Sequence, residues 1–374
     1  MDTTTKDNWV PHPGEFIKEE IEERGWSQRD LAFILGCPEQ AINMLVSGKR
    51  GISPEMAKAL GDAFCVPADL FSNLQRTFDL ANARDPNPGI AKRARIQSQY
   101  PVREMIKRGW LEDTDAVMLE AQMARFFNVS NINDVPHLDH AAKKTNYDEV
   151  LSEQLAWLFR VKQIAKSISV TAKYSEKLLR NAAIKLKHLL VDPESIREIP
   201  RMLSETGVRF ILVESLPGSK IDGVCFWLNN ESPVIGMSLQ KDRIDNFWFV
   251  LRHEIEHVLC GHGKTKEIID SDIFENIDNE INEEEQIANA AASDFCAPVK
   301  EMDSFVARKS PFFSEKDVLA FAKIMQVHPG LVVGQLHART KRYELFRKYL
   351  VKIRQFALQE SIKDGWGEPF PVDI

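Results

Sequence analysis

Ile244-Asp245-Asn246-Phe247-Trp248-Phe249-Val250-Leu251-Arg252-His253-Glu254-Ile255-Glu256-His257-Val258-Leu259-Cys260-Gly261 decides how this chain reads. Ile244, Phe247, Trp248, Leu251, Ile255, Val258 and Leu259 recur at helical spacing and form a core stripe, so a helix is predicted from about Asp242 to Cys260, with Gly261 as its stop. His253 and His257 stand at i and i+4 on another face, where two imidazoles can share one metal ion. The buried stripe fixes the helix and so holds both rings rigidly. Neutral imidazoles suit Zn2+, and a catalytic zinc site needs a third protein ligand and an open position for water. Glu254 is then placed to take a proton from the attacking water as general base. Without a metal, the same pair would be two surface histidines on a helix.

The third ligand has to come from farther along. A histidine six residues past His257 would complete one zinc pattern, but that position is Gly263, and His262 falls one residue early. Downstream, Glu283-Glu284-Glu285-Gln286-Ile287-Ala288-Asn289 reads as helix. Glu285 with Asn289 at i+4 puts a carboxylate ligand and an imidazole-orienting amide on one face, while Glu283 and Glu284 point elsewhere. The other reading of this run is a solvated acidic face, since 267–285 is acidic as a whole.

Upstream the period changes. Val208-Arg209-Phe210-Ile211-Leu212-Val213, Gly223-Val224-Cys225-Phe226-Trp227 and Pro233-Val234-Ile235-Gly236-Met237 are β-branched and aromatic, separated by Leu216-Pro217-Gly218 and Asn229-Asn230, and predict three short strands. Asp245 to Phe249, His253-Glu254-x-x-His257, Glu285-x-x-Ala288-Asn289 and Phe295-Cys296-Ala297-Pro298 together resemble the ImmA/IrrE family of metallopeptidases over about 200–300, and Ile221-Asp222-Gly223 is similar too. The resemblance implies a gluzincin-like zinc endopeptidase that cuts or controls a DNA-binding repressor. His253, His257 and Glu285 match its ligands and Glu254 its base. Glu256 departs from the small residue that many members carry there; a carboxylate beside the site would alter metal affinity or the acidity of water.

Residues 12–83 read as short helices with brief breaks. Ser27 N-caps one that ends at Gly36, Pro38 opens another that stops near Ser47-Gly48, and Ser53-Pro54-Glu55 supplies cap, first turn and first-turn acid for a third. Residues 27–46 fit a helix-turn-helix: Ala32 allows a close helix crossing, and Ile42 and Leu45 face the core. The second helix would enter the major groove, with Gln28, Glu39, Gln40, Asn43, Lys49 and Arg50 near DNA. His12-Pro13-Gly14-Glu15, Ser27-Gln28-x-x-Leu31-Ala32 and Gly48 to Ala57 resemble HigA-type antitoxins of the Cro/CI (XRE) class over about 10–80. That resemblance implies an autoregulating, homodimeric binder of operator DNA with a toxin partner. Cys37-Pro38-Glu39 departs from the Ser or Thr that often opens the recognition helix. The charge over 1–83 is 8 − 13 = −5, so phosphate neutralisation is weak for a monomer and tight binding is expected of a dimer on two half-sites.

Composition sets the outer limits. At 374 residues the chain predicts about two or three domains. No apolar run approaches the ~20 residues of a membrane span, and Met1 to Trp9 carry no apolar signal segment. Five scattered cysteines without a CxxC pair exclude a disulfide scaffold and point to the cytoplasm. A net charge of −7 excludes indiscriminate polyanion binding.

The fold class expected is multidomain. An all-α helix-turn-helix domain (10–83) is followed by a basic linker (84–101) and a helical connector (102–149). An α+β zincin-like metallopeptidase domain with a small sheet (150–310) and a mostly helical C-terminal region (311–374) complete it. The stretch Arg339 to Arg354, with Tyr343, Phe346, Tyr349 and Leu350 interleaved, is predicted as an amphipathic helix docked on the domain. The functional expectation is a DNA-binding, antitoxin-like regulator that represses its own operon. Its zinc peptidase domain would cut a regulator, a toxin or the chain's own linker on a stress or phage signal. The alternative is a non-proteolytic repressor whose second domain only binds a partner or senses a signal.

Overall fold

In the computed structural model the described residues are 9–134, 151–264, 267–271 and 283–372. They fall into two compact units, Met1–Asn87 and Pro88–Ile374.

The first unit is helical. It comprises α1 (Pro13–Glu23), α2 (Gln28–Leu35), α3 (Glu39–Val46), α4 (Pro54–Phe64) and α5 (Ala68–Asn82). Local chemistry places the boundaries. The Ser27 hydroxyl accepts from the Asp30 amide and the Asp30 carboxylate accepts from the Ser27 amide at 2.7 Å, a reciprocal cap. Gly36 then turns the chain out of α2 with φ 64°, a conformation costly for residues with a Cβ. Ser53 caps α4, with Pro54 in its first turn. Ile17, Leu31, Ile42, Leu45, Leu60 and Phe71 form the core, all essentially inaccessible. Each contributes roughly 1.5–3 kcal/mol on burial, so the core fixes α3 while its outer face stays free.

The second unit begins with α6 (Gly89–Gln99), α7 (Val102–Lys107) and α8 (Ala116–Phe126), then α9 (Ser152–Ser167), α10 (Glu176–Leu186) and α11 (Ile199–Ser204). Strands β1 (Arg209–Val213), β2 (Ile221–Trp227) and β3 (Pro233–Met237) follow, then α12 (Ile244–Cys260), β4 (Ile268–Ser271), α13 (Glu283–Cys296), α14 (Val299–Lys309), α15 (Glu315–Met325), α16 (Pro329–Thr340), α17 (Arg354–Ala357) and β5 (Ile362–Asp364). The described strands form one mixed sheet in the order β4-β2-β3-β1-β5, with β2 antiparallel to β3 and β4, and β1 parallel to β3 and β5.

Both faces of the sheet are covered, which is why its central strands are mostly apolar, with Arg209 and Asp222 the charged residues among them. Phe210, Leu212, Cys225 and Ile235 face the layer built on α12. Ile211, Val213, Val224 and Val234 face α9 and the α7–α8 region. A buried ion pair locks the second layer to the C-terminus. Arg160 on α9 donates from Nε and Nη2 to the two oxygens of Asp364 on β5, each at 3.0 Å, and the Trp110 indole donates to Asp364 at 2.7 Å.

Four expectations are corrected. The basic stretch 84–101 is mostly α6. Its Lys92 and Arg95 pair with Glu120 on α8 while Ile96 is buried, so the charge run is the solvent face of a packed helix. Residues 102–134 are not a connector: Val102, Met105, Trp110, Leu119 and Phe126 share one core with α9 and the sheet; the rest of the expected connector, 135–149, lies outside the described residues. The stretch Arg339 to Arg354 is not a continuous helix. It leaves α16 at Thr340 and passes through a short 3-10 turn at Arg347–Tyr349, yet Phe346, Tyr349 and Leu350 still pack on the core. Strands β4 and β5 join the three expected ones.

Candidate functional site

Helix α12 forms the floor of the candidate metal centre. Its apolar stripe packs into the core facing α13, α16 and β2, so His253, Glu254 and His257 are wholly buried on its remaining face. The two imidazoles converge, with Nε2 of His253 2.9 Å from Nε2 of His257. Glu285, in the first turn of α13, reaches the same point: its carboxylate lies 3.3 Å from His253 Nε2 and 3.5 Å from His257 Nε2. The structure thus brings together the three residues expected as ligands and the expected base.

Sequence reading missed a fourth donor. Asp270 on β4 is 5% exposed, and its Oδ2 lies 3.4 Å from His253 Nε2 and 4.0 Å from His257 Nε2. One ligand atom from each of His253, His257, Asp270 and Glu285 falls within 4.8 Å of all the others. The signal was Ile268-Ile269 ahead of an acid inside a stretch otherwise read as solvated. Among the described residues Asp270 Oδ2 has the His253 imidazole no nearer than 3.4 Å and both Glu254 oxygens lack a donor, and buried acid oxygens so weakly satisfied are costly unless a cation joins them. Two nitrogens and carboxylate oxygens suit Zn2+ among common ions, so the residues fit a metal.

The electrostatics follow from crowding acids and imidazoles out of water. Burial, and next the Asp270 charge, hold the Glu254 carboxyl well above the ordinary range. Burial and then Asp270 raise Glu285 to about 7. His253 is pulled down by burial, but Asp270 and Glu285 outweigh this and raise it to about 10. Burial, with the charges of His253 and His262 against the pull of Asp270, lowers His257 to about 3. Burial would raise Asp270; the His253 charge and hydrogen bond reverse this and hold it at about 2.

His262 also acts here, through His257: the two Nδ1 atoms lie 2.9 Å apart, so one donates to the other and fixes the ring of His257. Asn289, expected to orient an imidazole, makes no such bond; its Oδ1 and His253 Nδ1 are both buried without a partner. Glu256 is not in the cluster, because Arg252 one turn earlier holds it in an ion pair at 2.6 Å.

The expected DNA-facing residues lie in the first unit. Glu39, Gln40 and Asn43 on α3, and Lys49 and Arg50 after it, are exposed, and Gln28 at the start of α2 is half-buried.

Comparison with known proteins agrees with this division. Residues 17–71 match the helix-turn-helix family and residues 205–309 match the IrrE N-terminal-like domain. An uncharacterized HTH-type transcriptional regulator, YddM, of Escherichia coli K12 is 32% identical over 73 residues, 20% of this chain and 78% of that protein. Virulence-associated protein A' of Dichelobacter nodosus is 35% identical over 72 residues, 19% of this chain and 63% of that protein. A Pseudomonas aeruginosa protein solved with its 18-bp operator DNA is 36% identical, covering 20% of this chain and 80% of that one, with a TM-score of 0.19. The chain therefore belongs, through residues 17–71, to the XRE-type helix-turn-helix family of DNA-binding regulators, and it carries an IrrE/ImmA-like peptidase domain in its second unit.

Proposed function

We propose that this chain is a cytoplasmic, homodimeric repressor of the HigA-like antitoxin kind that binds operator DNA through α3 and hydrolyses a polypeptide at a zinc centre on α12. The observation that carries the peptidase half is the meeting of His253, His257 and Glu285 beside a wholly buried Glu254. A zinc ion held by those residues supplies a Lewis acid for a scissile carbonyl. Glu254 does the proton work: a cation beside it would offset the burial and the Asp270 charge that raise its carboxyl, and its carboxylate accepts the proton of the attacking water and delivers it to the leaving amine. His262 keeps His257 in one orientation. The substrate is a toxin or repressor protein partner, or the chain itself. For self-cleavage the exposed stretch Arg84-Asp85-Pro86-Asn87-Pro88 is the accessible site, because α6 begins at Gly89 and a protease needs an extended chain.

Metal analysis tests the reading first. Purified chain is expected to hold about one zinc and His253→Ala to lose it. Incubated with operator DNA and zinc, the wild type is expected to give fragments of itself or a partner, and Glu254→Gln to give none. A wild type without bound metal sinks the enzymatic half and leaves the operator-binding half standing.

A further inference from the structure

Strand β4 lies on the outer edge of β2, at the end of the sheet. This edge runs past the catalytic groups: Gly223 on β2 sits against Glu254, and it pairs across the strands with Asp270 on β4. An extended peptide reaching the His253–His257 pair would add to this edge by main-chain hydrogen bonds, the usual way a chain docks on an exposed strand. Residues 268–271 already hold that place, in antiparallel register with Ile221–Cys225. Asp270 also points Oδ2 at the imidazole nitrogens from inside the protein, 3.4 Å from His253 Nε2 and 4.0 Å from His257 Nε2, while Ile268 on the same strand is buried.

We propose that Asp270 is a fourth protein ligand that closes the metal's coordination sphere, and that β4 is a built-in pseudosubstrate strand which a true substrate, an extended polypeptide segment, must displace. The proposal rests on reading the cluster as a metal site. Two imidazoles and two carboxylates make a closed, four-coordinate zinc sphere, whereas hydrolysis needs an open position. The same strand that covers the β2 edge thus supplies the fourth donor, with Asp270 Oδ2 3.4 Å from His253 Nε2. The resting chain is thus held silent by its own strand, and activity appears when a partner or substrate competes for the β2 edge.

Cobalt-substituted chain, with acetohydroxamate as an external ligand, tests the assignment without any peptidase assay. The wild-type cobalt spectrum is expected to stay unchanged on adding acetohydroxamate, and the Asp270→Ala spectrum to shift in a saturable way. Asp270→Asn, which keeps the shape of the strand, is expected to bind zinc at least ~10-fold more weakly, the lower end of what even an outer partner's loss costs. Removing zinc from the wild type is expected to speed amide exchange in 268–271 while β1 stays protected. A wild-type spectrum that responds to acetohydroxamate as readily as the variant's, or unchanged zinc affinity in Asp270→Asn, overturns the proposal. If the spectra behave as expected but Asp270→Ala, with its coordination sphere opened, is as inert toward every peptide as Asp270→Ala combined with Glu254→Gln, the peptidase reading falls and the Asp270 assignment stands. Failure of the wild type to take up cobalt or zinc overturns both.

Discussion

Gly223 lies directly against Glu254: a Cβ on residue 223 would stand 2.1 Å from Glu254 Oε1 and 3.1 Å from Val250 Cγ1. The Glu254 carboxyl is therefore fitted into a gap that the sheet leaves for it, and the Ile221-Asp222-Gly223 run acquires a physical reason.

Gly223→Ala should push Glu254 away from the cluster without removing any ligand. The expected result is a loss of about 1–3 kcal/mol of stability from overpacking and a fall in peptide hydrolysis on the order of 100-fold, the usual cost of misplacing a reacting group by about 1 Å. Zinc content should be unchanged. Denaturant melts, metal analysis and cleavage rates read the three separately, and full activity in Gly223→Ala would show that Glu254 has room to spare.

Metal uptake should release protons. His253, raised to about 10, carries its proton at pH 8 in the metal-free chain and must lose it to bind an ion. Because the pKa is raised, apparent affinity falls as the pH is lowered from about 10, by roughly tenfold per unit for one proton. Glu285, at about 7, adds a second proton below that pH and steepens the fall. Titration calorimetry at pH 8 in two buffers of different ionisation enthalpy should give about one proton released per ion. No net release would show that His253 is neutral in the metal-free site.

On the DNA side, Gln40→Ala and Asn43→Ala should cost about 1–3 kcal/mol each for the operator and little for random DNA, as base-reading amides do. Lys49→Ala and Arg50→Ala should weaken both alike and reduce the salt slope by about one each. These residues are exposed and lie outside the first unit's core, so thermal stability should hold. Equal loss on operator and random DNA for Asn43→Ala would remove it from base reading.

Asp364→Asn should destabilise the second unit by about 3–5 kcal/mol, because it leaves the Arg160 guanidinium buried without its counter-charge. The exposed Arg339–Asp303 pair, 2.9 Å long, gives the control: Asp303→Ala should cost under about 1 kcal/mol. Comparable losses from the two changes in a denaturant series would contradict this.

Part of this protein was determined by sequence alone. The i, i+4 spacing of His253 and His257, the Ser27 and Ser53 caps and the β-branched and aromatic runs of β1 and β3 are local patterns, and each sits where the sequence put it. Periodicity carries that information because one turn of helix or one pleat needs only its neighbours. Tertiary structure decided the rest. Asp270 comes within 3.4 Å of His253 Nε2 because β2 takes strand β4 at its edge. Asp364 meets Arg160 across 204 residues. The charges of α6 became one side of a packed helix because Ile96 found a core. Such short or charged segments have no strong preference of their own; they take their conformation from ladder bonds, buried partners and counter-charges that only the folded chain brings within reach.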